Sequence, residues 1–143
     1  MVKLKSQDKT IFYALGKSYK ETGNDTKAIA NLQSATRIDP EYQLAFFELG
    51  NIYLENEEWS KAITNYEKSI QLSPKHYQSW FNLGSACIGE STSDSIMRAY
   101  EAYNQFLKLT ANMKGSQIAK MRKDANGIIK QLTDYFDQAG IDY

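Results

Sequence analysis

The stretch FFELGNIYLENEEWSKAITNYEKSIQLSP, residues 46–74, decides how this chain folds, because a near copy, FYALGKSYKETGNDTKAIANLQSATRIDP, stands 34 residues earlier at 12–40. Phe12, Leu15, Gly16, Tyr19, Ala28, Leu32 and Pro40 recur as Phe46, Leu49, Gly50, Tyr53, Ala62, Tyr66 and Pro74. Large apolar, small and proline positions all keep phase. That is the mark of stacked helical hairpins, since each unit can bury its apolar face only against its neighbours.

Within residues 9–21, Ile11, Phe12, Leu15 and Tyr19 fall on one face of a helix and are expected to be buried, with Asp8 as its N-cap. Gly23 and Asn24 break the pattern. A second helix is predicted over 26–38, carrying Ala28, Ile29, Leu32 and Ala35, and Asp39 and Pro40 end it because proline cannot continue a helix. The next repeat gives helices at 44–55 and 59–72 around a turn at 56–58; Trp59 and Ala62 begin the second buried stripe, and Ser73 and Pro74 close it. Gly16, Gly50 and Gly84 each cost about 1 kcal/mol against alanine inside a helix. Their common register argues that they permit close helix packing.

A third copy departs from the first two. Trp80, Leu83 and Gly84 keep phase, but Cys87 stands where Tyr19 and Tyr53 stood. Ala99, Tyr103 and Phe106 fit only with three residues inserted, and Ala111 replaces the closing proline. The insertion is read as a lengthened surface loop at 89–93. Beyond it, Ile118, Met121, Ala125, Ile128, Leu132, Tyr135 and Ala139 alternate steps of three and four along a helix predicted over 116–138, with Ile129 and Phe136 beside the stripe and Gly127 as a point of bending. Two readings stand for that helix: a cap on the repeat array, or a docking or dimer helix. Residues 1–8 read as a lead-in or as the tail of an upstream repeat, Val2 and Leu4 being in phase with Thr36 and Ile38. The division is then 9–42, 43–76 and 77–114 for three repeats and 115–143 for the terminal helix and tail, all in one domain spanning 1–143.

Composition narrows the function. The 143 residues are 42% hydrophobic with a formal net charge of zero, so no field gathers phosphate backbones or an anionic membrane, and nucleic acid and membrane are set aside as partners. No stretch approaches the roughly 20 apolar residues of a membrane span, residues 1–8 lack the apolar core of a secretory signal, and a cytoplasmic location is expected. Cys87 is the only cysteine and His76 the only histidine, which leaves no metal-ligand spacing and no nucleophile and base pair. Cys87 falls at a helix-core position and reads as an inert thiol, His76 as a solvent-exposed turn residue, and Glu55, Glu57 and Glu58 as a solvated face. No enzyme activity, cofactor or metal is expected.

The order aromatic, Leu-Gly, Tyr, Ala, aromatic, Pro across residues 9–76 resembles the tetratricopeptide repeat (TPR) family. The resemblance implies an all-α fold: a right-handed superhelical α-solenoid of antiparallel helix hairpins, three units with an additional C-terminal helix. It also implies an adaptor or scaffold that binds a peptide or helix of another protein in a concave groove lined by the first helix of each hairpin. Carried onto this chain, the groove positions are Tyr13, Lys17, Lys20, Leu44, Phe47, Glu48, Asn51, Leu54, Gln78, Phe81, Asn82, Ser85 and Ile88. Tyr13, Phe47 and Phe81 form an aromatic ladder that is either scaffold or site. Family members that capture the C-terminal carboxylate of heat-shock chaperones use two asparagines and several basic side chains. Here those positions hold Tyr13, Lys17, Glu48, Gln78 and Asn82, so an acidic chaperone tail is not the expected partner and a neutral or amphipathic segment is. The alternative is a self-associating scaffold meeting another copy through the C-terminal helix or an exposed repeat edge, the chain being otherwise a monomer or weak homodimer.

Overall fold

Local propensity and the two periods give helices joined by tight turns, and a computed structural model, which describes residues 6–143, has that form. The helices are α1 (Ser6–Glu21), α2 (Asp25–Ile38), α3 (Gln43–Glu55), α4 (Trp59–Leu72), α5 (Tyr77–Glu90), α6 (Ser93–Leu109) and α7 (Ser116–Ala139). No strand occurs among the described residues. The fold is all-α and built of helical repeats, in two compact units, Met1–Pro74 and Lys75–Tyr143.

In the first unit α1 packs on α2, α3 on α4, and α2 on α3. Each hairpin is antiparallel, as its end-to-end contacts require. Lys9 near the start of α1 is paired with Asp39 just past the end of α2. One repeat on, the Gln43 amide donates to Ser69 Oγ near the end of α4 at 2.7 Å. The two turns are built alike. Gly23 takes φ +77° and its successor Asn24 caps α2 by accepting from the Lys27 N–H at 3.1 Å; Glu57, one period later, takes the same left-handed conformation at φ +58°. Ala28, Leu32, Ala35, Ala45, Leu49, Ile52, Ala62, Ile63 and Tyr66 form the core.

The glycines explain how the hairpins close. A Cβ on Gly16 would lie 2.6 Å from Leu32 Cγ, and one on Gly50 would lie 2.7 Å from the Tyr66 ring. Only a missing side chain lets these partners in.

Two expectations for α1 are corrected. The described chain is already helical at Ser6, so Asp8 lies in the first turn of α1 (Ser6–Glu21) instead of capping it, where a carboxylate still faces the positive end of the helix dipole. Positions 6–8 lack the proline that holds 40–42 in a turn one repeat later. Of the residues read as lead-in or upstream tail, 1–5 lie outside those described. Second, the buried stripe is incomplete: Ile11 is 57% and Leu15 41% exposed, whereas their counterparts Ala45 and Leu49 are 0% and 3% exposed. The difference is the neighbour, because α2 lies against α3, whereas among the described residues no helix of this unit lies on the matching side of α1.

In the second unit α5 packs on α6, and α6 on α7. Tyr77 at the start of α5 meets Phe106 near the end of α6, with ring centroids 6.1 Å apart. The predicted loop at 89–93 is absent. Gly89 and Glu90 belong to α5, Ser93 opens α6, and only Ser91 and Thr92 connect them. The three inserted residues have become an extra first turn of α6, because Thr92 and Ser95 form a capping box: the Thr92 hydroxyl accepts from the Ser95 N–H at 3.1 Å, and the Thr92 N–H donates to Ser95 Oγ at 2.8 Å.

Helix α7 runs unbroken through Gly127 for 24 residues, about 36 Å at 1.5 Å each. It buries Ile118, Ala125, Leu132 and Phe136. Tyr135, expected in the stripe, is 48% exposed, and its neighbour Phe136 takes the inward place. Steps of seven fall about 20° short of two turns each, so the apolar line drifts around the helix and residue 136 ends up facing the core. Tyr143 folds back on Tyr100 and Phe136 with centroids 5.2 and 5.1 Å away.

Candidate functional site

Steps of three and four place Tyr13, Lys17 and Lys20 on one side of α1, and Leu44, Phe47, Glu48, Asn51 and Leu54 on one side of α3. The structure joins the two rows through charge. Glu48, its side chain 12% exposed, lies 3.9 Å from Lys17 Nζ and 3.4 Å from Lys20 Nζ, and Lys20 also reaches Glu55 at 3.2 Å. The Asn51 amide donates to Glu48 at 3.4 Å. Asn51 Oδ1 accepts the Tyr66 hydroxyl at 2.7 Å. A resident carboxylate therefore sits between the cations of this face.

Beside it lies an aromatic patch that sequence reading caught only in part. Tyr13 packs on Tyr42 with centroids 5.2 Å apart. Lys17 lies 5.7 Å over the Tyr13 ring and Lys9 5.4 Å over the Tyr42 ring. Burial, with the Glu48 carboxylate and Tyr42 nearby, pushes the Tyr13 phenol up to about 12, so it stays protonated. Tyr42 was missed because the repeat copies put Asp8 and His76 at its position; its signal was an aromatic two residues after a proline. Leu44 is 41% exposed beside this patch, while Phe47 is half-buried against Tyr66 at 6.1 Å.

The second unit carries Gln78, Phe81, Asn82, Ser85 and Ile88 along α5. Phe81 packs edge-on against Tyr103 and Phe106 at 5.4 and 5.0 Å. The Ser85 and Tyr103 hydroxyls are 3.0 Å apart, and burial raises the Tyr103 phenol. Gln78 and Asn82 are half-buried, and Ile88 is exposed. Phe47 and Phe81 are thus rungs held against their own hairpins, with one edge of each left accessible.

The remaining reactive groups are placed for structure. Cys87 is buried, and burial with Glu90 nearby pushes its thiol up to about 12, leaving it protonated and inert. His76 is half-buried, not the exposed turn residue expected, because it immediately precedes α5 and its Nδ1 lies 2.7 Å from Ser79 Oγ. Among the described residues no group of three or more His, Cys, Asp or Glu side chains is placed to hold a metal ion, and no helix is long and apolar enough to cross a membrane.

A family model described as TPR repeat matches residues 16–57 and 50–87, together just over half of the chain. The chain belongs to the TPR repeat family. Among solved structures it is similar to the type III secretion translocator chaperone SycD of Yersinia enterocolitica, with a TM-score of 0.81 at 14% identity over 94% of this chain and 90% of that one. It also resembles the first TPR of Spaghetti (RPAP3), solved with an HSP90 peptide SRMEEVD (TM-score 0.74, 15% identity, 91% and 99% covered). A third likeness is the Sgt2 TPR domain from Aspergillus fumigatus (TM-score 0.72, 18% identity, 88% and 82% covered). At these identities the likenesses establish the fold. No curated protein sequence matches the chain.

Proposed function

We propose that this chain is a cytoplasmic, non-catalytic protein-interaction module whose first unit binds a neutral or amphipathic peptide or helix on the face of α1 and α3. The observation that carries the reading is Glu48 between Lys17 and Lys20. A related domain is known with an acidic heptapeptide bound, but on this chain the two lysines already face a carboxylate of their own. A second acid arriving there would meet Glu48 in a half-buried setting and lose more to repulsion than it gains. What remains for a ligand is Tyr13, Tyr42, Leu44 and the open edge of Phe47, which suit apolar anchors, with the Tyr13 phenol as donor. On α5, Gln78, Asn82, Ser85 and Ile88 offer amides, a hydroxyl and an aliphatic side chain of the same neutral character.

The test is binding of an amphipathic, uncharged-face peptide library to the chain and to its Leu44→Ala and Tyr13→Ala forms. Leu44 is 41% exposed and Tyr13 half-buried against Tyr42, so retained folding of each form is verified by its urea midpoint, and selected peptides are expected to lose about tenfold in affinity, the scale of one apolar anchor. Peptides that bind both variants like the parent place the site elsewhere. The self-associating alternative has less apolar surface to draw on at the C-terminal helix, where Ile118, Ala125, Leu132 and Phe136 are buried and Tyr135 is left 48% exposed.

A further inference from the structure

The zero net charge is an average, and in the second unit the charges are sorted by end. The start of α5, the end of α6 and the start of α7 lie together: the Tyr77 and Phe106 rings meet, and Arg122 Nη1 donates to the Thr110 and Ala111 carbonyls at 3.3 and 3.0 Å. Between Glu101 and Asp124 the chain has no carboxylate, and it brings Lys108, Lys114, Lys120, Arg122 and Lys123 to this end, with Lys75 just ahead of α5. The opposite end, where Tyr100 meets Phe136 and Tyr143, holds Glu90, Asp94, Glu101, Asp134, Asp137 and Asp142 against Arg98. Lys130 stands between the two ends. Helix dipoles explain only part of this sorting. Asp94 in the first turn of α6 and Lys108 in its last suit that helix, but Glu90 ends α5, Asp137 lies in the last turn of α7, and Lys114 and Lys120 flank the α7 start, each against its dipole. The charges follow the end of the unit and not the helix that carries them.

The basic end has the form of a projection that meets a plane. Residues 111–117 are all exposed, Met113 by 42%. Lys75, Lys108, Lys114, Lys120 and Lys123 are exposed, and none of them makes an ion pair among the described residues. Arg122 is half-buried on its two carbonyls, so the free cations are lysines, point charges on flexible stems that suit a diffuse anionic plane better than one fixed carboxylate. Tyr135 and Tyr143, the exposed aromatics of the unit, lie at the other end, which leaves the basic end without a platform on which bases stack. We propose that this end rests on an anionic lipid surface, with Met113 entering the headgroup boundary and Lys108, Lys114, Lys120 and Lys123 facing the lipid headgroups. Asp124 is the carboxylate nearest these lysines and offsets one of them. The acidic end does not oppose the contact: Lys120 and Asp134 are fourteen residues apart on one helix, about 21 Å, which is roughly two and a half Debye lengths at physiological salt. None of the neutral peptide-facing residues takes part, so the two sites stand or fall separately.

The test is sedimentation of the whole chain with phosphatidylcholine vesicles, with and without about a third phosphatidylserine, using forms whose urea midpoint matches the parent's. Partition onto the anionic vesicles, absent from the neutral ones and falling as salt rises, is expected. A lysine beside such a surface is worth roughly fivefold in partition, so Lys114→Gln with Lys120→Gln is expected to lower it about twenty-five-fold. Lys27→Gln with Lys61→Gln makes the same charge change on exposed side chains of the first unit and is expected to lower it less than about threefold. Met113→Ser weakens partition by a factor that salt leaves unchanged, because an apolar contact is not screened. Equal losses in the two double variants mean that net charge alone acts, and they overturn the proposal, as does no partition onto anionic vesicles at low salt. Tighter binding to duplex DNA or to polyglutamate than to the vesicles, lost in the Lys114 and Lys120 variant, also overturns it, since the end then serves another class of partner.

Discussion

The Tyr66 hydroxyl donates to Asn51 Oδ1 at 2.7 Å while its ring lies where a side chain on Gly50 would be. One missing Cβ therefore admits a whole aromatic side chain into the hairpin, and the next residue along α3 receives the polar tip. The second unit repeats the device with Tyr103, whose ring lies 2.7 Å from a Cβ on Gly84 and whose hydroxyl meets Ser85 at 3.0 Å. Burying an aromatic ring outweighs the roughly 1 kcal/mol that a helical glycine costs.

Gly50→Ala is expected to destabilise the protein by about 1–3 kcal/mol through overpacking against Tyr66, despite the gain in helix propensity. Gly127→Ala is the opposite case: nothing lies within 4 Å of its Cβ in the middle of α7, so stability rises by up to about 1 kcal/mol. Urea unfolding of the two variants checks both signs. If Gly50→Ala is as stable as Gly127→Ala, the ring does not lie over the glycine.

Much of this was legible in the sequence because period and glycine register are local facts. The 34-residue shift placed α2, α3 and α4 to within a residue at each end, and three glycines in phase announced the close packing. What the sequence could not carry was the neighbour of each face. Ile11 and Leu15 have the pattern of buried residues, yet they are 57% and 41% exposed and no described helix of their unit covers them. The insertion read as a loop became helix because a hydroxyl pair at 92 and 95 stabilises a helix start. Glu48 was legible as a carboxylate opposed to an acidic ligand, but its partnership with Lys17 and Lys20 joins residues about thirty apart, and no motif marks it.

The turn before α4 contains a correctable strain. Glu57 holds φ +58° where the first repeat has Gly23 at φ +77°. A left-handed conformation costs an L-residue roughly 1–2 kcal/mol, against a smaller loss of unfolded-state restriction on introducing glycine. Glu57→Gly is expected to raise stability by a few tenths to about 1 kcal/mol, read as a higher midpoint in urea. A lowered midpoint means that the exposed Glu57 side chain makes a contact worth more than the strain.

Exchanging one carboxylate changes what the α1 and α3 face can hold. With Glu48 in place, an acidic heptapeptide ending in a free carboxylate is expected to show no saturable binding by calorimetry. In Glu48→Gln the Lys17 ammonium faces the ligand without a resident anion and Lys20 keeps only its pairing with Glu55, and the same peptide binds measurably at low salt and weakens as salt screens the pairs. Tight, salt-sensitive binding by the unmodified chain contradicts the assignment of this face to neutral or amphipathic segments.

Stability follows pH through His76 in a direction that burial fixes. Half-burial before α5 lowers its pKa from the ordinary 6.5, because the imidazolium loses solvent that the unfolded chain retains. Between the ordinary value and the lowered one, the unfolded chain therefore binds more protons than the folded one. Stability rises with pH across that window, is fully present above it, and is lost as pH falls from 6.5 through the folded value. Replacing His76 by glutamine removes this contribution while leaving every carboxylate titration in place. The difference in unfolding free energy between parent and variant, followed from about pH 8 to pH 5, is expected to move against the parent as acid is added. A flat difference, or one that moves in the parent's favour, shows that the ring is not desolvated beside Ser79.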